Sequence, residues 1–299
     1  MAQSSYSIEK VYKDINTINN YFTETVEYGS RIQRTAPLID IYCHYGNTTG
    51  NGKCHNYYQR ASSGVIYLLK TLKDNYNLEY DKLAEYAILW LRYKLNRTDP
   101  YHKIKLNDFY TNHIETNKDY NKKIKDNDLT YKEIINKKRD LMNINEMTNF
   151  SYPFGILIYL YNANNLNCTS HLTQAKEFAA RFEKLNKDSN HIENSSYNKI
   201  LSTISNDYNN LKNKYDSKNS CNFPPLTQLT PTKRPAEISE KGSGQMLGEA
   251  LDVTSSSSSI STTLIPALSI FSIIPVFLGI SYKTIYKKKI KKSKEENET

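Results

Sequence analysis

The chain has 299 residues, a formal net charge of +9 and a mean hydropathy of −0.68, and 38% of its residues are apolar. These values exclude a multi-pass membrane protein, and the low counts of Gly (10) and Pro (9) exclude a collagen-like or wholly low-complexity chain. The 33 asparagines and 25 tyrosines are typical of an AT-rich coding sequence, so most of them carry no functional meaning.

The positive charge is concentrated at the carboxyl end. Residues 283–299 hold seven Lys and three Glu, which gives this segment +4 and leaves +5 for the other 282 residues. Binding of nucleic acid needs a clustered basic face. We therefore predict no nucleic-acid partner.

The first 221 residues are predicted to form an all-α domain. The opening residues, MAQSSYSIEK, lack the basic and apolar regions of a secretory signal peptide. After them, apolar residues recur every three or four positions, and no segment alternates convincingly with a period of two. The predicted helices cover residues 8–22, 64–73, 81–95, 106–115, a segment that opens at 130, 153–161, 170–185 and 195–215.

Local signals support several of these helices. Ser7 is a good N-cap for the first helix, and Thr130 with Glu133 forms a capping-box pattern. Pro153 is expected in the first turn of the sixth helix, where its missing N–H costs nothing. Trp90, the only tryptophan, lies in a segment that is apolar on most faces, so we expect it to be buried between helices.

Four cysteines precede residue 222. Cys43 and Cys54 flank a Gly/Asn-rich loop, and a disulfide between them would close it, which leaves Cys168 and Cys221 as the second pair. A loop of this size contributes about 3 kcal/mol in the chain-entropy model. The alternatives are a zinc site with the neighbouring His44 and His55, which has an unusual ligand spacing, or four free thiols in a reducing compartment.

A linker and a membrane anchor are predicted after the domain. Residues 222–259 contain four prolines and a serine run without apolar periodicity, which indicates a disordered stalk. No charged residue occurs from Val253 to Tyr282, and we predict a transmembrane helix over residues 260–282 that binds the lipid bilayer. A buried core helix is the alternative, but two prolines in the segment disfavour it. The apolar anchor residues are Leu264, Ile265, Leu268, Ile270, Phe271, Ile273, Ile274, Val276, Phe277, Leu278 and Ile280.

A short basic tail, residues 283–299, follows the predicted span. Lys283, Lys287, Lys288 and Lys289 are expected to act as a stop-transfer signal that keeps the tail in the cytosol. The bulk of the chain would then lie on the opposite side of the membrane. A span this close to the end, without a signal peptide, also describes a tail-anchored protein whose N-terminal domain is cytosolic, and composition leaves both topologies open.

No catalytic constellation is visible. The six histidines form no HExxH motif, no nucleophile elbow surrounds a serine, and no carboxylate pair stands in an apolar setting. We therefore predict no enzymatic activity, no metal site and no cofactor.

Several segments resemble the Plasmodium interspersed repeat (PIR) family, the Cir/Yir/Bir variant antigens of rodent malaria parasites. The most specific are AILWLRYKLN, ILSTISNDYNN and the serine run that enters the predicted span, and the resemblance covers nearly the whole chain in order. The basic tail, TIYKKKIKKSKEENET, is shorter than in many members of the family.

The resemblance implies a non-catalytic variant antigen that is displayed on the infected red cell or on parasite membranes. Such a single-pass protein would present its N-terminal domain outside, contact a host protein or cell surface, and serve immune evasion through antigenic variation. The alternative is a cytosol-facing, tail-anchored adaptor in a parasite or vesicle membrane.

Overall fold

Helices make up most of the regular structure. The computed structural model describes residues 6–28, 30–46, 52–163, 167–219 and 221–233, and within these ranges the chain forms eight α-helices and one β-hairpin, joined by short 3-10 and π turns. The helices are α1 (Ile8–Asn19), α2 (Tyr57–Tyr76), α3 (Tyr80–Asn96), α4 (Leu106–Phe109), α5 (Tyr131–Asn136), α6 (Met147–Tyr161), α7 (Cys168–Asn186) and α8 (Ser196–Asn219). The prediction of a mostly helical domain is confirmed.

Helix α3 forms the centre of the domain. It packs against α2 on one side and α6 on another, and every residue from Leu83 to Leu95 except Tyr93 is buried. Trp90 is completely buried, as predicted. Its indole ring lies directly against Gly64 of α2, where a side chain of any size would overlap it. Gly64 therefore sets how closely α2 and α3 approach.

The helix boundaries follow capping chemistry in part. Thr130 and Glu133 form the predicted capping box at the start of α5. Ser7 precedes α1, but its side chain makes no capping hydrogen bond. The α2 helix begins seven residues earlier than predicted because the Asn56 side chain accepts a hydrogen bond from the N–H of Gln59, 2.9 Å away.

The predicted position of Pro153 is wrong. Helix α6 begins at Met147, so Pro153 lies inside the helix and not in its first turn. Met147 and Phe150 are buried and extend the apolar face of α6 upstream of the proline. Burial of that face therefore outweighs the backbone hydrogen bond that proline cannot donate.

The hairpin corrects the prediction that the domain is entirely α-helical. The first predicted helix ends at Asn19, and strand β1 (Phe22–Glu27) pairs antiparallel with β2 (Ser30–Thr35). Glu24 faces inward on β1 and is only 8% exposed. It accepts hydrogen bonds from Arg31 and Gln33 of β2, each at 2.7 Å.

The predicted start of the stalk at Asn222 is also wrong. Phe223 is 2% exposed, and the Tyr208 hydroxyl of α8 donates to the carbonyl of Pro224 at 2.8 Å. Farther along, Thr232 forms a parallel bridge with Ile192, just before α8 begins. Residues 221–233 therefore belong to the domain and run antiparallel to α8, while the rest of the predicted stalk lies outside the described residues.

Candidate functional site

The first disulfide lies between the hairpin and α2. Cys43 and Cys54 are bonded, with Cα atoms 5.3 Å apart, and each is 2% exposed. Gly52 permits this closure, since a Cβ at that position would lie 2.9 Å from the carbonyl oxygen of Asp40. The enclosed residues 47–51 lie outside the described ranges. The structure therefore pairs the same two cysteines as the sequence-based expectation.

The chain after Cys43 is held by a second set of contacts. Asp119, completely buried, accepts a hydrogen bond from the backbone N–H of His44 at 3.1 Å and lies 2.7 Å from Nδ1 of its ring. The Lys118 N–H donates to the His44 carbonyl at 2.9 Å. His44 therefore serves as a structural contact here, and the two cysteines that the alternative zinc site would use as ligands are bonded to each other instead.

The second disulfide ties the end of the domain to its core. Cys168, the first residue of α7, is bonded to Cys221, with Cα atoms 5.2 Å apart. Cys221 lies two residues after the end of α8 and is 4% exposed. The bond spans 53 residues and links the start of α7 to the segment that returns along α8.

A buried carboxylate joins four helices. Oδ2 of Asp207 on α8 accepts hydrogen bonds from the hydroxyls of Tyr12 at 2.8 Å and Tyr86 at 2.9 Å, and the Tyr161 hydroxyl donates to the Asp207 carbonyl at 2.7 Å. Burial raises the pKa of Asp207 to about 6, and the two tyrosine hydrogen bonds oppose that rise. Perturbed pKa values often mark active sites. Here Asp207 is 5% exposed, Tyr12 and Tyr86 are at most 1% exposed and Tyr161 is 7% exposed, so the cluster holds α1, α3, α6 and α8 together away from solvent.

A buried ion pair stabilises a second junction. Lys138, only 1% exposed, places its Nζ 3.1 Å from Oε1 of Glu85 on α3, and Lys82 lies 3.1 Å from the other oxygen of the same carboxylate. Both charges of the Glu85–Lys138 pair are therefore compensated, as burial requires. Among the described residues, no group of three or more His, Cys, Asp or Glu converges as a metal site would require.

The hairpin and the turn after it expose large apolar side chains that the sequence analysis did not single out. Tyr28 at the hairpin turn is fully exposed with a φ of 51°, and Leu38 and Ile41 on the following 3-10 turn are 45% and 46% exposed. The spacing of apolar residues along the sequence gave no signal for this exposure.

The predicted anchor and stop-transfer residues, from Leu264 to Lys289, lie outside the described residues. Within the ranges that are described, no helix is both long and apolar enough to span a bilayer.

Comparison with known proteins identifies the family. A family model described as Plasmodium variant antigen protein Cir/Yir/Bir matches residues 12–283. The chain belongs to this family. A solved structure described as that of a Plasmodium PIR protein ectodomain is 33% identical to this Cir/Yir/Bir chain, with a TM-score of 0.54. The match covers 76% of this chain and 99% of that one, and comparison with curated proteins finds no match.

The family resemblance drawn from the sequence is thus confirmed for the Cir/Yir/Bir chain. The range matched by the family model includes the predicted anchor residues from Leu264 to Ile280 and ends at Lys283. The family is one of variant antigens, which agrees in coarse terms with the predicted function.

Proposed function

We propose that this protein is a variant antigen whose helical domain is displayed on the oxidising side of a membrane, where it contacts the host and serves immune evasion without catalysis. Family membership supports the assignment as an antigen. The related solved structure is described as an ectodomain, which supports the same role for the helical domain here.

The pair of disulfides is the observation that carries the proposed topology. All four cysteines are bonded; Cys43, Cys54 and Cys221 are almost completely buried, and Cys168 is partly buried. Cytosolic thiol pools keep such cysteines reduced, whereas extracellular and luminal spaces allow disulfides to persist. A domain that uses both bonds is therefore suited to the oxidising side.

Membrane attachment would come from the apolar segment between Leu264 and Ile280. With its Ser and Thr flanks it reaches roughly 20 residues, enough for a hydrocarbon core of about 30 Å. The lysines that follow favour a cytosolic tail. The proposal that the domain is not an enzyme is supported by the burial of its perturbed carboxylate, Asp207, away from solvent.

A cytosol-facing, tail-anchored adaptor is the second candidate, since composition leaves the side of the membrane open. Two epitope tags separate the candidates: one inserted in the hairpin turn beside the exposed Tyr28 and one placed after Thr299. For a displayed antigen, antibody should bind the hairpin tag on intact infected cells and the C-terminal tag only after permeabilisation. For an adaptor, both tags should be detected only after permeabilisation, on parasite and red-cell membranes alike. The hairpin tag should in addition be sensitive to protease on the cytosolic side.

A further inference from the structure

A small cleft lies between the segment that follows α3 and the segment that precedes α6. Its volume is about 110 Å³, and residues 102–106 form one wall. The residues that form much of the other wall are Met142, Ile144, Asn145, Met147 and Thr148. Arg92 of α3 also lines it. A volume of this size corresponds to a few water molecules, each of which occupies about 30 Å³ in the liquid.

Arg92 is a buried cation without an acidic partner. Its residue surface is 3% exposed, and its Nη1 and Nη2 donate to the carbonyls of Ile104 at 2.8 Å and His102 at 2.9 Å. The buried Nε has no hydrogen-bond acceptor. Within the described residues no carboxylate lies within 4.0 Å of the guanidinium, and burial lowers the pKa of Arg92.

A comparison with Lys94 shows why Arg92 is unusual. Lys94 is equally buried, but its ammonium donates to the carbonyls of Asn19 and Phe22, each at 2.6 Å, and lies over the Phe22 ring. Its donors are therefore satisfied by the domain. Arg92 uses only part of its five N–H donors and lines an open space instead.

The rim of the cleft adds positive charge. His102, Lys103 and Lys105 line it and are exposed, and no residue of the lining is Asp or Glu. His102 lies 3.4 Å from the exposed Asp99, whereas neither lysine forms an ion pair with another described residue. Met147, the first residue of α6, also lines the cleft and brings the positive end of the helix dipole toward it.

We propose that this cleft binds an oxyanion group, either sulfate or phosphate as a free ion or the same group on a larger molecule. Arg92 would supply the buried charge, and Lys103 and Lys105 would contact the group from the rim. An anion there would provide the counter-charge that the domain does not provide for Arg92. The site does not depend on which side of the membrane the domain faces.

The test uses the full chain in a neutral detergent, with thermal unfolding measured as sodium sulfate or sodium phosphate replaces sodium chloride at constant ionic strength. The unfolding temperature should begin to rise near the dissociation constant and then increase with the logarithm of the anion concentration c, because binding to the folded state stabilises it by RT ln(1 + c/Kd). Sulfate also stabilises proteins without binding a site. The double variant K103E/K105E removes the rim charge, and K10E/K13E makes the same charge change on exposed positions of α1 outside the cleft.

The K10E/K13E control should keep the rise in unfolding temperature, and K103E/K105E should need about tenfold more anion for the same shift or lose the shift altogether. An equal rise in both double variants, or a rise in the unsubstituted chain no larger than in K103E/K105E, would overturn the proposal. Arg92→Gln should also lose the shift, and if it fails to fold, the exposed rim lysines decide the question alone. Tighter binding of a sulfated disaccharide than of inorganic sulfate would identify a glycan as the source of the group, and equal binding would identify the free ion.

Discussion

Replacement of Gly64 by Ala tests the close approach of α2 and α3. In an ordinary helix interior this substitution stabilises a protein by about 0.5–1 kcal/mol, because Ala loses less backbone freedom than Gly. Here the new methyl group would overlap Cη2 of Trp90 and lie 3.0 Å from Cζ3. Trp90 is completely buried and cannot move toward solvent. Overpacking of this kind costs about 1–3 kcal/mol, so the net effect should be a loss of stability.

Two further variants separate the cost of the overlap with Trp90 from the gain in helix propensity. Gly155→Ala on α6 is the matched control, because its Cβ would lie 2.7 Å from Cε2 of Tyr93, a half-buried ring that can shift outward. We expect Gly155→Ala to change stability by less than about 0.5 kcal/mol. Trp90→Phe shortens the ring beside Gly64 and should relieve the overlap.

Urea denaturation followed by far-UV circular dichroism gives the free energy of unfolding for each variant and for the Gly64→Ala/Trp90→Phe double variant. The double variant should be more stable than the sum of the single effects by about 1 kcal/mol. A Gly64→Ala protein that is more stable than the original, or strictly additive single effects, would refute the packing argument. A loss of about 1 kcal/mol should also lower the unfolding temperature by roughly 2–4 °C.

Three other predictions concern charge, redox state and the anchor. Because the pKa of Asp207 is raised to about 6, the folded state holds its proton more tightly than the unfolded state, and this group should make the domain less stable as the pH rises from 4 to 7. The test compares the unfolding free energies of the original chain and Asp207→Asn across that range. Their difference should change by about 1–3 kcal/mol. A constant difference would show that Asp207 keeps an ordinary pKa. In infected cells that are alkylated before lysis, the four cysteines should stay unmodified unless a reductant is added, as measured by mass spectrometry. Modification of all four without reductant would favour the cytosol-facing adaptor. Deletion of Leu264–Ile280 should release the chain into the supernatant of a carbonate extraction, and retention in the pellet would indicate another attachment.

The elements that the sequence predicted best are those whose burial follows from apolar spacing alone. The segment around Trp90 was placed at the centre because almost every face of it is apolar, and the structure buries it on all sides. The capping box at Thr130 was also predictable, since two side chains and two backbone groups satisfy one another locally.

The errors arose where contacts distant in the sequence outweigh local signals. The inner face of β1 carries Glu24, which is satisfied by Arg31, Gln33 and Tyr101, so the hairpin shows no apolar alternation. The cleft beside Arg92 was not predicted either, because it depends on two segments that meet only in the folded chain. Phe223, Leu226 and Leu229 recur every three residues, and this spacing was a usable signal that the chain after α8 packs on the domain.

The return of the chain along α8 also determines how the domain responds to a mechanical load. A pull on the chain beyond Lys233 acts first on the hydrogen bonds between Thr232 and His191, and the segment then peels back toward Cys221 one contact at a time. The covalent bond between Cys221 and Cys168 stops the peeling before the load reaches the remaining helices. Between these two points, peeling releases roughly 40 Å of chain from the domain while the disulfide holds the end of α8 in place.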